Sequence, residues 1–107
     1  MSGYGEFSWP DGKKYIGLYK NDKKNGFGIF YWPEHSKAYV GFWKNGKQDG
    51  YGIIINKSKN KCGLWENGVK KKSFNDLWQI EKQINGIEIG YLKFFGMSYD
   101  SIVYFIR

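Results

Sequence analysis

Side chains that commonly carry out catalysis or bind metal ions are scarce in this sequence of 107 residues. It contains one cysteine, Cys62, and one histidine, His35. This excludes a disulfide scaffold, disfavours a thiolate metal cluster and leaves little for general acid–base catalysis. No Ser–His–acid or Cys–His set, phosphate-binding loop or metal cluster can be assembled from the inventory. We therefore expect a protein that is not an enzyme and that uses no cofactor, no metal ion and no small-molecule substrate.

Aromatic side chains are the second group that could carry a function. The chain has 5 Trp, 9 Tyr and 8 Phe alongside 15 Gly. Exposed rings on a β-face can form a stacking platform, but a ring that returns at the same position of a repeat is most simply explained as part of a core. Some rings could still line a shallow groove that grips a helix of a protein partner. The candidates for this groove are Trp9, Tyr15, Trp32, Tyr39, Trp43 and Trp65.

Lysines are the third group of side chains that could carry a function. The formal net charge is +7, and residues 1–74 carry 14 Lys against 6 acidic residues. These lysines could attract an anionic partner, or they could form a solvated surface that protects sheet edges from aggregation. Bidentate recognition of phosphates and bases favours arginine, and the one arginine is Arg107, so specific nucleic-acid binding is disfavoured while diffuse contact with RNA stays open. The candidates for contact with an anionic partner or lipid are Lys13, Lys14, Lys23, Lys24, Lys70, Lys71 and Lys72.

A repeat organises most of these residues. The triplets Gly3-Tyr4-Gly5, Gly26-Phe27-Gly28 and Gly50-Tyr51-Gly52 recur at steps of 23 and 24 residues. Self-similarity at a period of this size is typical of repeat architectures. The units comprise residues 3–25, 26–49 and 50–72, the third without the Trp-Pro pair and with Lys61 where Tyr15 and Tyr39 stand.

Each unit has the turn signals of a β-hairpin. Pro10-Asp11-Gly12 predicts one turn, and Asn45-Gly46 and Asn67-Gly68 predict turns at the other end of the hairpins. Alternation along the strands places glycines and rings on one face, so that a missing side chain leaves room for a ring from a neighbouring strand. Stacked hairpins bring equivalent turns to one edge, where we expect the lysines to form a basic ridge.

The pattern G-x-G-x-F-x-W-P-D-G-x-x-Y-x-G-x-Y, as it stands from Gly3 to Tyr19, resembles the MORN repeat (membrane occupation and recognition nexus). The resemblance covers residues 3 to about 70. It implies consecutive antiparallel hairpins stacked into a slightly twisted rod, usually a non-catalytic module. It also implies roles in tethering, dimerisation or assembly, and binding to lipids.

The second face of the strands is apolar as well. A single-layer sheet with so much apolar surface on both sides would expose more than a monomer tolerates, so we expect residues 73–107 to cap the array formed by residues 1–72. The apolar residues of the second face are Ile16, Leu18, Ile29, Tyr31, Val40, Phe42, Ile53, Ile55 and Leu64.

The cap is predicted to be mixed. Ser73-Phe74-Asn75-Asp76 resembles a helix N-terminus, and apolar spacing predicts a helix over about 74–84 that ends at Asn85-Gly86. Two strands then follow, over residues 87–95 and 102–106. The alternatives are a hairpin over residues 80–89 around Asn85-Gly86 and a degenerate fourth repeat.

The sequence thus predicts a mainly β protein: three stacked antiparallel hairpins with a C-terminal helix and a closing hairpin. We expect a scaffold or adaptor that binds protein partners within a larger assembly; the alternative is peripheral binding to anionic phospholipid membranes through the lysine-rich ridge. No apolar run is long enough for a membrane-spanning helix, and the first residues lack the features of a secretory signal. An intracellular protein is favoured, cytoplasmic or associated with the cytoskeleton, with an organellar complex as the alternative.

Overall fold

The computed structural model describes residues 2–57, 60–74 and 99–106. These residues form one open sheet of seven antiparallel strands, and the order of strands in the sheet is their order in the chain. The strands are β1 (Gly3–Ser8), β2 (Lys14–Lys20), β3 (Lys23–Trp32), β4 (Lys37–Lys44), β5 (Lys47–Asn56), β6 (Asn60–Glu66) and β7 (Val69–Phe74). A 3-10 helix (Pro33–His35) joins β3 to β4, and one α-helix, α1, spans Tyr99–Ile106.

The predicted turns explain why the chain reverses where it does. Asn45 and Gly46 both have positive φ angles, 51° and 85°, and Asn67 and Gly68 repeat them at 52° and 87°. Two consecutive residues with φ above zero define the two-residue hairpin turn whose twist matches that of the strands. We call the end of the sheet that holds the turns at residues 21–22, 45–46 and 67–68 the asparagine end.

The turns at the opposite end are less uniform. Between β1 and β2 the N–H of Gly12 donates to the carbonyl of Trp9 over 3.0 Å, and the N–H of Trp9 donates to the carbonyl of Lys13 over 2.9 Å. Between β3 and β4 the extra residue of the second unit is accommodated by the 3-10 helix, which ends at Ser36 with φ of 48°. This end of the sheet therefore differs from one hairpin to the next.

The register confirms the predicted faces. Gly5 pairs with Gly17, and Gly17 pairs with Gly28. The same row continues through Gly41, Gly52 and Gly63. A row of bare backbone thus crosses six strands. Because side chains alternate along each strand, aromatic residues two positions from these glycines, such as Tyr15 and Phe30, lie on the same face as the row, whereas a direct neighbour such as Phe27 lies on the other face.

The sheet has a core on each side. On one face, the aromatic face, the buried residues are Tyr15, Phe30, Tyr39, Trp43 and Trp65. On the other, the aliphatic face, they are Ile16, Phe27, Ile29, Ala38, Val40, Ile53, Ile55 and Cys62. Val103 of α1 packs against the aliphatic cluster; that residues 73–107 as a whole cap this face stays a prediction.

The C-terminal segment needs two corrections. Ser73 and Phe74, predicted to start a helix, are the last residues of β7, with Ser73 paired to Gly63 and Phe74 to Cys62. Residues 102–106, predicted as a strand, belong to α1. Apolar residues recur at the i, i+3, i+4 and i+7 positions from residue 99, a helical spacing, and Asp100 lies in the first turn, where the helix dipole favours an acid. The rest of the helix predicted over about 74–84, the alternative hairpin over 80–89 and the strand over 87–95 lie outside the described residues.

Candidate functional site

Two tyrosines on the aromatic face explain why the paired glycines lack side chains. We call the paired glycines the glycine row: Gly5, Gly17, Gly28, Gly41, Gly52 and Gly63. Tyr15 and Tyr39 have 0% of their surface exposed. A Cβ atom added at Gly52 would lie 2.5 Å from the hydroxyl of Tyr39, and one added at Gly28 would collide with the ring of Tyr15. Real Cβ atoms essentially never approach this closely. The prediction that glycines leave room for rings from neighbouring strands is therefore confirmed.

Hydrogen bonds fix both hydroxyl groups. The Tyr15 hydroxyl donates to the carbonyl of Leu18 over 2.9 Å, and the Tyr39 hydroxyl donates to the carbonyl of Phe42 over 3.0 Å. Burial raises the pKa of both hydroxyls well above the usual value for tyrosine, because the charged phenolate would be poorly solvated there. Both groups therefore stay protonated donors at neutral pH.

The tryptophans connect one unit to the next. Tyr39 lies edge-on between Trp43 and Trp65, with both ring centroids 5.1 Å away, and Trp43 also meets Tyr15 at 5.7 Å. The indole N–H of Trp43 donates to the carbonyl of Gly28 over 3.2 Å. Edge-to-face contacts of this kind add stability beyond the burial of area, so the face is a continuous aromatic core.

In the third unit a lysine side chain occupies the space beside the glycine of the row, Gly63. Lys61 stands where Tyr15 and Tyr39 stand in the first two units, and it is exposed. A Cβ atom at Gly63 would meet the Cε of Lys70 at 2.6 Å, and the ammonium of Lys70 lies 5.4 Å from the ring centre of Trp65. The aliphatic stem of a lysine thus replaces the missing tyrosine ring.

Lys24, an expected contact for anionic partners, is also part of the aromatic face. Its ammonium lies 5.7 Å from the ring centre of Tyr15, 5.5 Å from that of Phe30 and 5.3 Å from that of Trp43. These distances are within the range of cation–π interaction. Burial lowers the pKa of Lys24. Lys24 therefore covers the rings and is not placed as a free surface cation.

Part of the aromatic face reaches the surface. Phe7 contacts Trp9 at 4.6 Å, Trp9 contacts Phe30 at 5.3 Å and Phe30 contacts Trp32 at 4.4 Å, measured between ring centres. Phe7 is half exposed, Trp9 and Trp32 are half-buried, and the ammonium of Lys37 lies 4.8 Å from the ring centre of Trp32. We call the rings of Phe7, Trp9, Phe30 and Trp32 the aromatic strip.

The predicted partner groove is only partly available. Four of its six residues are core residues because the neighbouring units cover them: Tyr15, Tyr39, Trp43 and Trp65. Trp9 and Trp32 remain, and the structure adds Phe7, which sequence reasoning left out of the groove. The signal for Phe7 was its place in the first strand of the repeat, where no earlier unit in the described chain covers it.

The predicted lysines do not form one ridge. Lys13 and Lys14 lie at the end of the sheet opposite the asparagine end, Lys23 lies at the asparagine end, and Lys70, Lys71 and Lys72 lie along β7. Antiparallel hairpins send successive turns to opposite ends of the sheet, so lysines from successive turns separate. The ammonium of Lys13 is also paired with the carboxylate of Asp11 over 3.1 Å, and backbone and side-chain hydrogen bonds from Lys13 lower the pKa of that carboxyl.

A different set of lysines does come together. The turns at 21–22 and 45–46 are adjacent at the asparagine end and are flanked by four lysines, namely Lys20, Lys23, Lys44 and Lys47. Three of them line an open groove with Asn21, Asn45 and Asp49. We call the four lysines the basic end. Of these four, the sequence predicted only Lys23 as a contact for an anionic partner.

Hydrogen bonds between turns position the basic end. The N–H of Gly46 donates to the carbonyl of Lys24 over 2.9 Å, and the N–H of Asn45 donates to the side-chain oxygen of Asn25 over 3.4 Å. The next turn repeats this arrangement through Gly68, Asn67, Gln48 and Asp49. Each turn thus rests on the hairpin before it.

Metal-binding clusters and membrane-spanning helices are absent from the part of the chain that the structure describes. Within residues 2–57, 60–74 and 99–106, no group of three or more His, Cys, Asp or Glu residues is placed to hold a metal ion. Over the same ranges, no helix has the length and apolar character required to cross a membrane.

Comparison with known families agrees with the architecture. The MORN repeat model matches residues 1–14, 15–37 and 39–60, which together make up more than half of the chain. Its unit boundaries differ in phase from the units at 3–25, 26–49 and 50–72, and residues 61–72 lie outside the match. A search of curated proteins finds no match to the chain. The chain belongs to the MORN repeat family, whose repeats mediate interactions with proteins and membranes.

Proposed function

We propose that this protein is a non-catalytic scaffold or adaptor that binds a protein partner through the aromatic strip, as a small subunit of a larger assembly. The observation that carries the proposal is the run of Phe7, Trp9, Phe30 and Trp32 along the border of the aromatic face. Tryptophan, tyrosine and phenylalanine are enriched in protein interfaces. Phe7, Trp9 and Trp32 reach the surface and supply apolar contact area to a partner, and the buried Phe30 lies between Trp9 and Trp32.

The rigidity behind the strip supports the same proposal. Phe30 joins the strip to the buried core, since its ring centre is 6.4 Å from that of Tyr15 and 6.0 Å from that of Trp43. A partner that docks on the strip therefore orders few side chains, and ordering side chains is one of the main costs of association. A preorganised surface is what an adaptor needs.

The distribution of reactive side chains supports a non-catalytic role. Cys62 is buried in the aliphatic core, where a thiol behaves as a small apolar group. His35 is exposed on the 3-10 helix. The two side chains therefore lie in different environments, and neither is combined with the other in a nucleophile–base pair.

The strip can be tested by substitution. We expect the double variant Trp9→Ala/Trp32→Ala to lose at least nine-tenths of the partner that co-purifies with the native protein, as measured by quantitative mass spectrometry. Tyr104→Ala is the matched control because Tyr104 is an aromatic residue of α1 that is exposed by 86%, and it should retain the partner. Circular dichroism would verify that both variants stay folded. An unchanged set of partners in the double variant would refute the role of the strip.

A second candidate function has its own support. The four lysines of the basic end, Lys20, Lys23, Lys44 and Lys47, project from two adjacent turns. Lysines held at an anionic membrane surface each contribute about 1 kcal/mol of attraction. The second candidate is therefore peripheral binding to anionic phospholipids through this end of the sheet.

Sedimentation with vesicles tests the membrane candidate. At low salt the native protein should bind vesicles rich in phosphatidylserine but not vesicles of pure phosphatidylcholine. Added salt should dissociate the protein from the phosphatidylserine vesicles. Changing the four lysines of the basic end to Gln should weaken binding at least tenfold. The control variant removes the same charge elsewhere, at Lys14, Lys61, Lys71 and Lys72, and should bind more tightly than the first variant. Failure of the native protein to bind at low salt would eliminate the candidate.

A further inference from the structure

β1 is an edge strand of the sheet that the described residues form. β3 and β5, the first strands of the next two units, are each paired on both sides, whereas β1 pairs only with β2 among the described strands. Its two large side chains are accordingly exposed: Tyr4 by 67% and Phe7 by 50%. The corresponding rings of the second unit, Phe27 and Phe30, are exposed by only 9% and 8%.

The bare position at the start of β1 is open as well. A Cβ atom at Gly26 would contact Leu18 at 3.0 Å, and one at Gly50 would contact Phe42 at 3.1 Å. Gly3 occupies the same position of the first unit with a similar φ of +90°, and nothing lies within 4 Å of its added Cβ. In the next two units a residue of the preceding strand fills the space beside this glycine, and in the first unit the described residues leave that space empty.

The charges of β1 do not protect this edge. Among the seven described strands, β1 is the one without a lysine, and Glu6 is its single charge. The opposite edge, β7, carries Lys70, Lys71 and Lys72 in succession. Proteins commonly guard exposed edge strands against pairing with lysines. The lysines of β7 therefore disfavour pairing of that edge with a further strand, whereas β1 has no lysine that would do so.

We propose that β1 pairs in an antiparallel manner with β1 of a second copy of this chain, across a two-fold axis at Gly5. Every neighbouring pair in the sheet is antiparallel and the glycine row crosses each of the pairs from β1 to β6, so pairing Gly5 with Gly5 continues the row. The aromatic faces of the two copies then lie on the same side of one longer sheet.

The proposed register is self-complementary. It puts Phe7 of each copy opposite Gly3 of the other, so that a half-exposed ring twice faces a position without a side chain. On the other face Tyr4 lies opposite Glu6, and no like charges meet. A two-fold interface requires one surface to complement itself in this way. Pairing β7 with a second β7 would instead place lysines opposite lysines, which destabilises a strand pair.

Sedimentation velocity over a wide range of concentrations tests the dimer. The native protein should pass from monomer to dimer as its concentration rises. Phe7→Lys should weaken the dimer at least tenfold, because it places a charge on the edge and removes the ring. Val69→Lys is the matched control, with the same change of charge at an exposed residue of β7, and should dimerise like the native protein. A monomer at every concentration, or a dimer insensitive to Phe7→Lys, would overturn the proposal.

Disulfide trapping tests the register. In a Cys62→Ala background, chains carrying Tyr4→Cys and chains carrying Glu6→Cys should form a mixed disulfide on mild oxidation, because residues 4 and 6 face each other. Either chain alone should cross-link much less. Equal cross-linking of the single chains would contradict the register. Trp32→Ala should leave the dimer unchanged, which separates the outcome of this proposal from that of partner binding by the aromatic strip.

Discussion

Replacing Tyr39 by alanine is expected to lower the free energy of unfolding by about 4 kcal/mol, which lies within the range measured when large buried aromatic residues are truncated. Tyr39 is fully buried and meets both Trp43 and Trp65 at 5.1 Å. Its removal leaves a cavity at the junction of the second and third units. Equilibrium unfolding in urea at neutral pH would measure the loss.

Two further variants separate the parts of this effect. Tyr39→Phe keeps the ring and removes only the hydrogen bond to the carbonyl of Phe42, so it should cost about 1 kcal/mol. Tyr104→Ala, at a residue exposed by 86%, should change the stability by less than about 0.5 kcal/mol. If Tyr39→Ala cost no more than Tyr39→Phe, the ring would not be part of the core.

Replacing Gly52 by alanine is expected to cost about 3 kcal/mol, at the upper end of the range for overpacking a core. The added Cβ would lie 2.5 Å from the Tyr39 hydroxyl. Gly52 does not have a positive φ, so its backbone itself would accept alanine. The loss of stability, measured in the same urea titration, would therefore come from displacement of the ring.

A glycine outside the row provides the control. Gly46 has a φ of +85°, and nothing lies within 4 Å of a Cβ added there. Gly46→Ala should cost about 1 kcal/mol, from backbone strain alone. If Gly46→Ala cost as much as Gly52→Ala, the loss of stability at position 52 could not be assigned to the close approach of the Tyr39 ring.

The alternation of side chains made most of the sheet predictable. Because neighbouring residues of a strand point to opposite faces, the positions of Gly17, Gly28 and Tyr15 determined which side would hold rings. The Asn-Gly pairs at 45–46 and 67–68 located the hairpin turns for a local reason, their tolerance of positive φ. Both signals lie within a few residues of the structure that they specify.

The site was harder to predict because it depends on contacts between units. The spacing of Tyr39 and Trp43 reveals a shared face, but only the packing of the next hairpin shows that both rings are buried. Likewise, Lys20 and Lys44 are 24 residues apart in sequence and meet because every second turn lies at the same end of the sheet. Phe7 became a surface residue through its place on the open edge.

The C-terminal segment was mispredicted where local signals conflicted. Ser73 resembles a helix cap in sequence, but the strand pairing of β6 extends through Ser73 and Phe74. Residues 102–106 are rich in residues that favour strands, whereas their spacing from residue 99 suits a helix, which is what forms. Packing of Val103 against the aliphatic cluster is a tertiary contact that strand propensity alone does not predict.

Combining Gly52→Ala with Tyr39→Ala tests most directly whether the glycine row exists to seat the rings. Urea unfolding of the native protein, both single variants and the double variant would give the coupling free energy between the two positions. Without the ring, alanine at position 52 should cost nothing or stabilise the strand slightly, so the double variant should be about as stable as Tyr39→Ala alone. Additive losses in the double variant would contradict the account.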